Sequence, residues 1–313
     1  MTTRVAFIGL GNMGGPMAAN LVAAGHVVTG FDLAPQALEP ARDHGVRIAA
    51  SPAAAVADAD VVITMLPSGT HVLDCYRGPN ALPAAAPADA VFVDCSTIDV
   101  ADAHAAHAAV RESGRRALDA PVSGGVVGAV AGTLTFMVGA DDADFAAIEP
   151  LLTAMGRRVV HCGPPGAGQA AKICNNMILG ATMIAVSEAF VLGEHLGLSH
   201  QALFDVASAA SGQCWALTTN CPVPGPVPAS PANHDYRPGF AGALMAKDLR
   251  LAANAIRAGG VAAELGLHAA EMYAAFAENG GADRDFSAVV HAIREQTATG
   301  ATATATAEGN DPA

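Results

Sequence analysis

Short apolar segments alternate with longer alanine-rich or amphipathic segments through the first half of the chain. Continuous apolar runs bounded by turn residues are typical of strands that are buried on both faces of a parallel sheet. The pattern predicts strands at 4–10, 27–31, 61–66, 91–94, 117–120, 133–138 and 159–161. Helices are predicted between them, including 14–24 and 100–113. This alternation predicts an α/β fold with a Rossmann-type doubly wound sheet.

The pattern changes after the Gly-Pro-Pro-Gly segment at 163–166. From 167 to 195 apolar residues recur at helical spacing, and the opposite side of this helix is nearly as apolar, which is typical of a buried helix. At 1.5 Å per residue the helix would be roughly 40 Å long. Further helices are predicted at 199–210, 241–258, 261–278 and 284–295. The second half is therefore expected to be all-α.

The chain of 313 residues is long enough for two domains of ordinary size. We predict an NAD-binding Rossmann domain over 1–163 and an all-helical substrate and oligomerisation domain over 164–296, with a long helix between them. The apolar helices at 167–195 and 241–258 are expected to join copies of the chain into a homodimer or homotetramer. The low-complexity segment that opens 297–313 predicts a disordered tail.

Composition excludes several classes of function. A hydrophobic content of 52% supports a large core, and a net charge of −13 argues against a nucleic-acid partner, because phosphates would be repelled. The six cysteines form no Cys-x-x-Cys pair and no zinc-type cluster with histidine, so we expect no metal site and a cytoplasmic location. Glycine, proline or charge interrupts the apolar runs, so no secretion signal and no membrane span are predicted.

A glycine-rich turn follows the first predicted strand and opens a helix. Residues 9–14 read G-x-G-x-x-G, with Asn12 and Met13 between the last two glycines. In this context Gly9 permits a tight turn, Gly11 allows close approach of a pyrophosphate, and Gly14 lets the helix pack on the strand. Amide groups at the helix start then face the phosphate charge. The segment predicts a dinucleotide site.

Asp32 ends the second predicted strand, 23 residues after Gly9. A carboxylate at that place accepts hydrogen bonds from the adenosine ribose and repels a 2′-phosphate. Residues 33–35 are Leu-Ala-Pro and offer no arginine to a 2′-phosphate. The sequence therefore favours NAD over NADP as the cofactor.

Two later strand ends should complete the cofactor site, because ligands of such sheets bind outside the carboxyl ends of the strands. The residues expected there are Leu66, Pro67 and Thr97. Thr97 can instead serve only as a cap of the helix that follows.

Lys172 and Asn176 are four residues apart on the long predicted helix and therefore share a face. A lysine in an otherwise apolar helix is costly to bury without a purpose. The alternative is a lysine whose stem packs while its ammonium group reaches solvent. The pair is our candidate for catalysis.

Four segments together resemble the β-hydroxyacid dehydrogenase family. They are FIGLGNMGGPMAANL (7–21), DAPVSGG (119–125), GAGQAAKICNN (166–176) and LMAKDL (244–249). The resemblance runs from about residue 4 to residue 295 and includes Cys-Trp at 214–215 and the proline-rich loop 221–228. It implies NAD-dependent oxidation of a small β-hydroxyacid, with 3-hydroxyisobutyrate from valine breakdown as the expected substrate and methylmalonate semialdehyde as the product.

The resemblance also implies roles in catalysis. The Ser123 hydroxyl and the amides of Gly124 and Gly125 are expected to hold the substrate carboxylate. Lys172 is expected to take the hydroxyl proton as a general base, with Asn176 orienting the substrate or the lysine. A base working near pH 8 needs a pKa well below the ~10.4 of free lysine.

Further site residues are implied in both halves. Lys247 resembles the family lysine that reaches the cofactor, and Asp248 is expected to position it, although a Lys-Asp pair on a helix surface is often only solvated. Trp215 and Phe240 are candidates for the substrate pocket or for the core. His71 stands where family members often carry asparagine; histidine also donates hydrogen bonds, so a cofactor contact is expected.

Other functions remain open at this level. One is a related β-hydroxyacid dehydrogenase, such as a tartronate semialdehyde reductase. Another is an imine reductase of the same architecture, although those commonly replace the lysine that stands here at Lys172. A protein of another class would bind the dinucleotide without catalysis. Assays of NADH formation on a panel of hydroxyacids discriminate among them.

Overall fold

The structure is a computed structural model. It describes residues 2–78 and 81–308, with side chains described up to residue 298. The chain forms two compact units, Met1–Ile173 and Cys174–Ala313. The division falls inside the long helix predicted from the sequence, not in a loop.

A nine-stranded sheet forms the centre of the first unit. Its strands are β1 (Arg4–Ile8), β2 (Val27–Phe31), β3 (Arg47–Ile48), β4 (Val61–Thr64), β5 (Val91–Asp94), β6 (Arg116–Asp119), β7 (Val122–Ser123), β8 (Leu134–Gly139) and β9 (Gly156–Gly163). The first six strands are parallel and lie in the order 3-2-1-4-5-6. This is the strand order of a dinucleotide-binding fold.

The sheet is not parallel throughout. β8 runs antiparallel to β6 and β7 and parallel to β9. β3 and β7 have only two residues each, which is too short for a run of apolar residues to reveal them in the sequence.

Helices cover both faces of the sheet, and the doubly wound α/β fold is confirmed. They are α1 (Gly14–Ala23), α2 (Pro35–Asp43), α3 (Pro52–Val56), α4 (Gly69–Tyr76), α5 (Leu82–Ala85), α6 (Val100–Glu112), α7 (Gly125–Ala131) and α8 (Asp142–Thr153). Successive residues of β1 point to opposite faces, so that Phe7 belongs to one core cluster and Ile8 to the other. The polar residues at the ends of the strands are thereby available to form the functional site.

Helices make up the second unit, as predicted. They are α9 (Ala167–His195, which begins in the first unit), α10 (His200–Ala209), α11 (Trp215–Thr218), α12 (Gly242–Gly259), α13 (Glu264–Phe276), α14 (Val289–Glu308) and short 3₁₀ or π segments at Pro231–Asn233, Ala277–Gly281 and Phe286–Ala288. In the described part of the chain no strand follows Gly163. The core of this unit is centred on Phe190, Tyr273 and Phe286.

The last helix is longer than the sequence pattern predicts. A disordered tail is expected over 297–313, and in the structure the backbone of 297–308 continues α14. Alanine has the highest helix propensity, and no proline interrupts this stretch, so the alternation of alanine and threonine extends the helix. Residues 309–313 lie outside the described residues.

One helix, α9, has the length and apolar composition of a membrane span. Its apolar residues Met183, Ile184 and Phe190 belong to the core of the second unit. Lys172 and Asn176 interrupt its first turns with buried polar groups. These are the features of a core helix.

Candidate active site

The glycine-rich turn between β1 and α1 has the geometry that its sequence predicts. Gly9 has a φ of 95°, and a side chain there would overlap the Met65 carbonyl oxygen. A Cβ on Gly14 would overlap the Gly9 carbonyl oxygen and lie 2.9 Å from the Phe7 ring. Both glycines are therefore required by the fold itself.

Gly11 differs from these two glycines. No atom of the described residues lies within 4 Å of the position that its Cβ would take. Gly11 and Asn12 are exposed, and Met13 at the N-cap of α1 gives the helix no side-chain cap within the described structure. An open, uncapped helix start beside a bare glycine is a cradle for a pyrophosphate, so these residues fit NAD.

Asp32 lies at the carboxyl end of β2, next to this cradle. Its Oδ2 accepts a hydrogen bond from the Leu10 amide at 2.7 Å, and its Oδ1 accepts one from the Ala34 amide at 2.7 Å. Each carboxylate oxygen can accept further hydrogen bonds. The carboxylate is thus held rigidly beside the glycine turn, where a ribose hydroxyl can reach it.

The ends of β4 and β5 lie side by side, as the sequence predicts for Leu66, Pro67 and Thr97. Thr97 is half-buried, and Pro67 is exposed. His71 is exposed in the first turn of α4, where its Nδ1 lies 2.7 Å from the Ser68 hydroxyl. These residues line the carboxyl edge of the sheet, at which nucleotides bind.

A buried polar network that sequence reasoning missed supports these strand ends. The Thr64 and Ser96 hydroxyls donate to Asp94 Oδ1 at 2.7 and 2.6 Å, and the Tyr76 hydroxyl lies 2.8 Å from that of Thr64. The Leu66 amide donates to the Ser96 hydroxyl at 2.8 Å. A polar residue closing each apolar strand, in VVIT and VFVD, is the signal that could have revealed the network.

The segment expected to hold the substrate carboxylate joins β7 to α7. Ser123 is half-buried, whereas Gly124 is exposed. Gly124 has a φ of 134° and Gly125 a φ of 62°, which are conformations that other residues rarely adopt. Gly124 is the N-cap of α7 and Gly125 is its first residue, and amide groups at a helix start can bind an anion.

Lys172 is buried in the second turn of α9, with 7% of its surface exposed. The helix start is fixed by Asp119, whose Oδ1 accepts from the Gly166 amide at 2.6 Å and whose Oδ2 accepts from the Gln169 amide at 2.7 Å. Burial raises the pKa of Asp119 to about 6, although both amides favour its charged form. At neutral pH the group is therefore a carboxylate at the positive end of the helix.

The polar residues of the second unit form a connected set. The Asn176 amide donates to Asp248 Oδ2 at 2.5 Å, and Asp248 Oδ1 lies 3.3 Å from Lys247 Nζ. Asn176 and Asp248 are buried, and Lys247 is largely so. The Lys-Asp pair is not an exposed surface pair.

The two aromatic candidates differ from each other. Phe240 packs edge-on against Phe286, with ring centroids 5.7 Å apart, and its amide donates to Asp285 at 3.1 Å. Trp215 begins α11 and is 52% exposed. Phe240 is thus part of the core of the second unit, whereas Trp215 is available for binding.

The chain contains two lysines, Lys172 and Lys247, and all its other basic side chains apart from histidine are arginine. Both are among the site residues predicted from the sequence, Lys172 in the first unit and Lys247 in the second. No group of three or more metal-ligating side chains is present among the residues that the structure describes.

Two family models match the chain in succession. Residues 4–163 match the NAD binding domain of 6-phosphogluconate dehydrogenase, and residues 166–293 match the model described as NAD-binding of NADP-dependent 3-hydroxyisobutyrate dehydrogenase. A Mycobacterium bovis protein named probable 3-hydroxyisobutyrate dehydrogenase is 58% identical over 93% of this chain and 98% of its own length. The chain belongs to the β-hydroxyacid dehydrogenase family.

A relative with a different name and a solved structure are also similar to this chain. The NAD-dependent L-serine dehydrogenase of Pseudomonas aeruginosa is 46% identical over 91% of this chain and 96% of its own length. A solved structure of the Mycobacterium tuberculosis 3-hydroxyisobutyrate dehydrogenase with L-serine has a TM-score of 0.90 and 58% identity, covering 94% of this chain and all of that one.

As a β-hydroxyacid dehydrogenase, the chain is an NAD-dependent oxidoreductase that oxidises hydroxyacids. The predicted family and cofactor are thereby confirmed. The individual roles of the site residues stay predictions.

Proposed function

We propose that the protein oxidises 3-hydroxyisobutyrate to methylmalonate semialdehyde, as a step of valine catabolism. The observation that carries the proposal is the burial of Lys172, one turn beyond a helix start that is anchored on Asp119. A lysine in an otherwise apolar helix is costly to bury without a purpose, and proton transfer with the substrate hydroxyl is such a purpose. Relatives named for this substrate support the assignment.

In the proposed mechanism the chain binds the substrate by its carboxylate and activates its hydroxyl. Ser123 donates a hydrogen bond to the carboxylate, with the amides of Gly124 and Gly125 beside it. The neutral amine of Lys172 takes the hydroxyl proton while the C–O single bond becomes a carbonyl. NAD, when bound, accepts the hydride that leaves the same carbon. In the reverse direction the ammonium of Lys172 returns the proton.

A second candidate substrate is L-serine. Serine carries the same primary alcohol on the carbon next to the α-carbon, and its carboxylate is equally placed. Two proteins similar to this chain bear the name L-serine dehydrogenase or were solved with L-serine. The two substrates differ at the α-carbon, where one bears a methyl group and the other an ammonium group.

A substrate panel tests the assignment. Initial rates of NADH formation are measured with 3-hydroxyisobutyrate, L-serine, glycerate and a short alcohol that lacks a carboxylate, each with NAD and with NADP. We expect the highest kcat/KM for 3-hydroxyisobutyrate with NAD. A higher kcat/KM for L-serine would transfer the assignment to that substrate, and a higher one for glycerate would contradict both.

The proposed base is tested by Lys172→Ala. We expect turnover to fall by at least ~10²-fold, the usual scale for a general acid or base, while the NAD dissociation constant stays unchanged. Arg158→Ala, an exposed cation of β9, is the control. Near-normal turnover in the Lys172 variant would refute the proposed mechanism.

We further propose a cytoplasmic homodimer or homotetramer. All six cysteines are free thiols, as in reducing compartments. Large apolar side chains lie exposed on α9 and on its continuation, among them Ile178, Leu192 and Leu196. Several exposed large apolar side chains along one helix are typical of contact surfaces. A monomeric mass by light scattering would contradict the oligomer.

A further inference from the structure

Two buried side chains, Asp119 and Gln169, connect three segments of the candidate site within the first unit. The segments are 119–125, which carries Ser123, the first turns of α9, which carry Lys172, and the turn 96–98, which carries Thr97. Neither side chain was singled out by sequence reasoning. Both are fully buried, and both have hydrogen bonds at every oxygen they offer.

Asp119 joins the end of β6 to the start of α9. Its two oxygens accept from the amides of Gly166 and Gln169, three residues apart in the first turn of the helix. This close approach needs Gly168, because a Cβ there would lie 2.7 Å from Asp119 Oδ2 and would overlap the Met137 carbonyl oxygen. The carboxylate of Asp119 therefore explains why the second glycine of the GAGQ segment, Gly168, is needed.

Gln169 joins the same helix turn to the loop after β5. Its Nε2 donates to the Ser96 carbonyl oxygen at 2.7 Å, and its Oε1 accepts from the Ile98 amide at 3.1 Å. These two backbone groups flank Thr97 on either side. A glutamine bonded in this way fixes both the position and the tilt of the Thr97 peptide, because the side-chain amide is planar and makes one bond from each end.

We propose that Asp119 and Gln169 are positioning residues that hold Lys172 in register with Thr97 and Ser123 for hydride transfer. The inference rests on the proposed role of Lys172, which follows Gln169 by one turn of the same helix. Proton and hydride leave one substrate in the same reaction, so base, substrate anchor and cofactor loop must keep fixed distances. A misplacement of about 1 Å is enough to lower a rate by ~10²-fold.

The primary test is Gln169→Met, which keeps the length of the side chain and removes both of its hydrogen bonds. We expect kcat/KM to fall by roughly 10- to 100-fold, while the NAD dissociation constant rises less than about threefold. The primary isotope effect on kcat/KM, measured with substrate deuterated at the alcohol carbon, is expected to increase, because the chemical step becomes slower relative to binding. The matched control is Gln201→Met, at an exposed glutamine of α10 whose side-chain amide donates to Asp205.

A second readout does not depend on activity. Because the chain has only two lysines, mass spectrometry after brief reductive methylation reports Lys172 with Lys247 as an internal reference. In Gln169→Met and in Asp119→Asn we expect the labelling ratio of Lys172 to Lys247 to rise by about tenfold. Gln169→Met removes two hydrogen bonds of the first turns of α9, and Asp119→Asn replaces one of the two acceptors by a donor that faces an amide, so both changes loosen these turns. Gln169→Glu, which keeps the acceptor for the Ile98 amide, replaces Gln169→Met if the latter does not fold.

The outcomes separate the inference from the proposed function. Unchanged kcat/KM and isotope effect in a folded Gln169→Met, alongside an inactive Lys172→Ala, would overturn the inference and leave the function standing. An equal loss of kcat/KM and NAD affinity would also overturn it, because Gln169 would then act only on cofactor binding. If the wild type oxidises no member of the substrate panel, the proposed function fails, and the labelling ratio alone decides whether the two side chains position Lys172.

Discussion

The side-chain amide of Asn176 donates a 2.5 Å hydrogen bond to the carboxylate of Asp248, which also lies 3.3 Å from Lys247. Asn176 follows Lys172 by one turn of α9, and Asp248 and Lys247 are neighbours on α12. One buried carboxylate of the second unit therefore holds two of the candidate site residues.

This relationship predicts a strong effect of Asn176→Leu on stability. The substitution leaves Asp248 buried without its shortest hydrogen bond, and we expect the free energy of unfolding to fall by about 2–4 kcal/mol. Urea titrations followed by circular dichroism measure it. Asn175→Leu, a change at the exposed neighbouring asparagine, is expected to shift the free energy by less than about 1 kcal/mol. Equal effects of the two variants would contradict the importance of the buried bond.

Replacing glycines of the nucleotide turn by alanine is expected to lower stability at Gly14 and NAD affinity at Gly11. Gly14→Ala places a methyl group on the Gly9 carbonyl oxygen and should lower the free energy of unfolding by about 3 kcal/mol. Gly11→Ala meets no described protein atom, so the fold should persist while NAD affinity falls at least ~10-fold, because the methyl group occupies the approach of the pyrophosphate. Thermal melts and calorimetric NAD titrations separate the two effects. Normal NAD binding by Gly11→Ala would place the pyrophosphate elsewhere.

Cofactor choice is expected to depend on the charge of Asp32. Asp32→Asn keeps an acceptor for the Leu10 amide but removes the negative charge that a 2′-phosphate would meet. We expect kcat/KM with NAD to fall by roughly 10- to 100-fold, the loss expected for charged hydrogen bonds to the ribose, and the NAD-to-NADP ratio to fall with it. The control is Asp43→Asn at an exposed site on α2. A constant ratio would remove Asp32 from cofactor selection.

His107 is expected to make stability depend on pH. Burial, followed by repulsion from Arg111 and His104, lowers the pKa of His107 to about 4. Between pH 6.5 and 4 the unfolded chain binds a proton at His107 that the folded chain does not, so stability from this group is complete above pH 6.5 and is lost as the pH falls. Asp119, with a pKa raised by burial to about 6, acts in the opposite direction over pH 4–6.

The difference between wild type and His107→Leu reports the histidine together with its effect on Asp119, whose Oδ1 lies 3.9 Å from His107 Nε2. We expect the variant to gain up to about 3 kcal/mol relative to wild type between pH 7 and pH 4, which is the shift of the His107 pKa expressed as free energy. Chemical denaturation at both pH values measures it. The exposed His234→Leu serves as a control. A difference that stays constant with pH would show that folding does not change the pKa of His107.

Much of the fold follows from the sequence, because long apolar runs allow few structures other than a buried strand or a buried helix. The strand at Val27–Phe31 and the helix at Ala167–His195 were predicted to the residue. Short or mixed elements were not: β7 has two residues, and the antiparallel direction of β8 depends on pairing with distant strands. The helix over 297–308 was missed because low complexity was taken as disorder, whereas alanine favours helix.

The site was predictable where the spacing of a motif has a local physical cause. Gly9 and Gly14 are each required by a local clash, and Gly11 is predicted to allow the approach of a pyrophosphate, so their spacing is informative. Asp119 and Gln169 lie inside recognised segments, yet their roles depend on which backbone amides face them after folding. Spacing along the chain cannot show such contacts, which join residues about fifty and seventy positions apart.

The central position of β1 in its sheet has a consequence for folding during synthesis. β1 is the first strand to be synthesised, yet one of its two neighbours in the sheet is β4. Val5 therefore cannot pair with Val61 until β4 has been synthesised. Gly9 packs against Met65, which is made at the same late stage. At roughly 5–20 residues per second, the nucleotide turn stays unfinished for several seconds after it leaves the ribosome. A nascent chain stalled before β4 therefore presents an unpaired apolar edge, the kind of surface that chaperones bind.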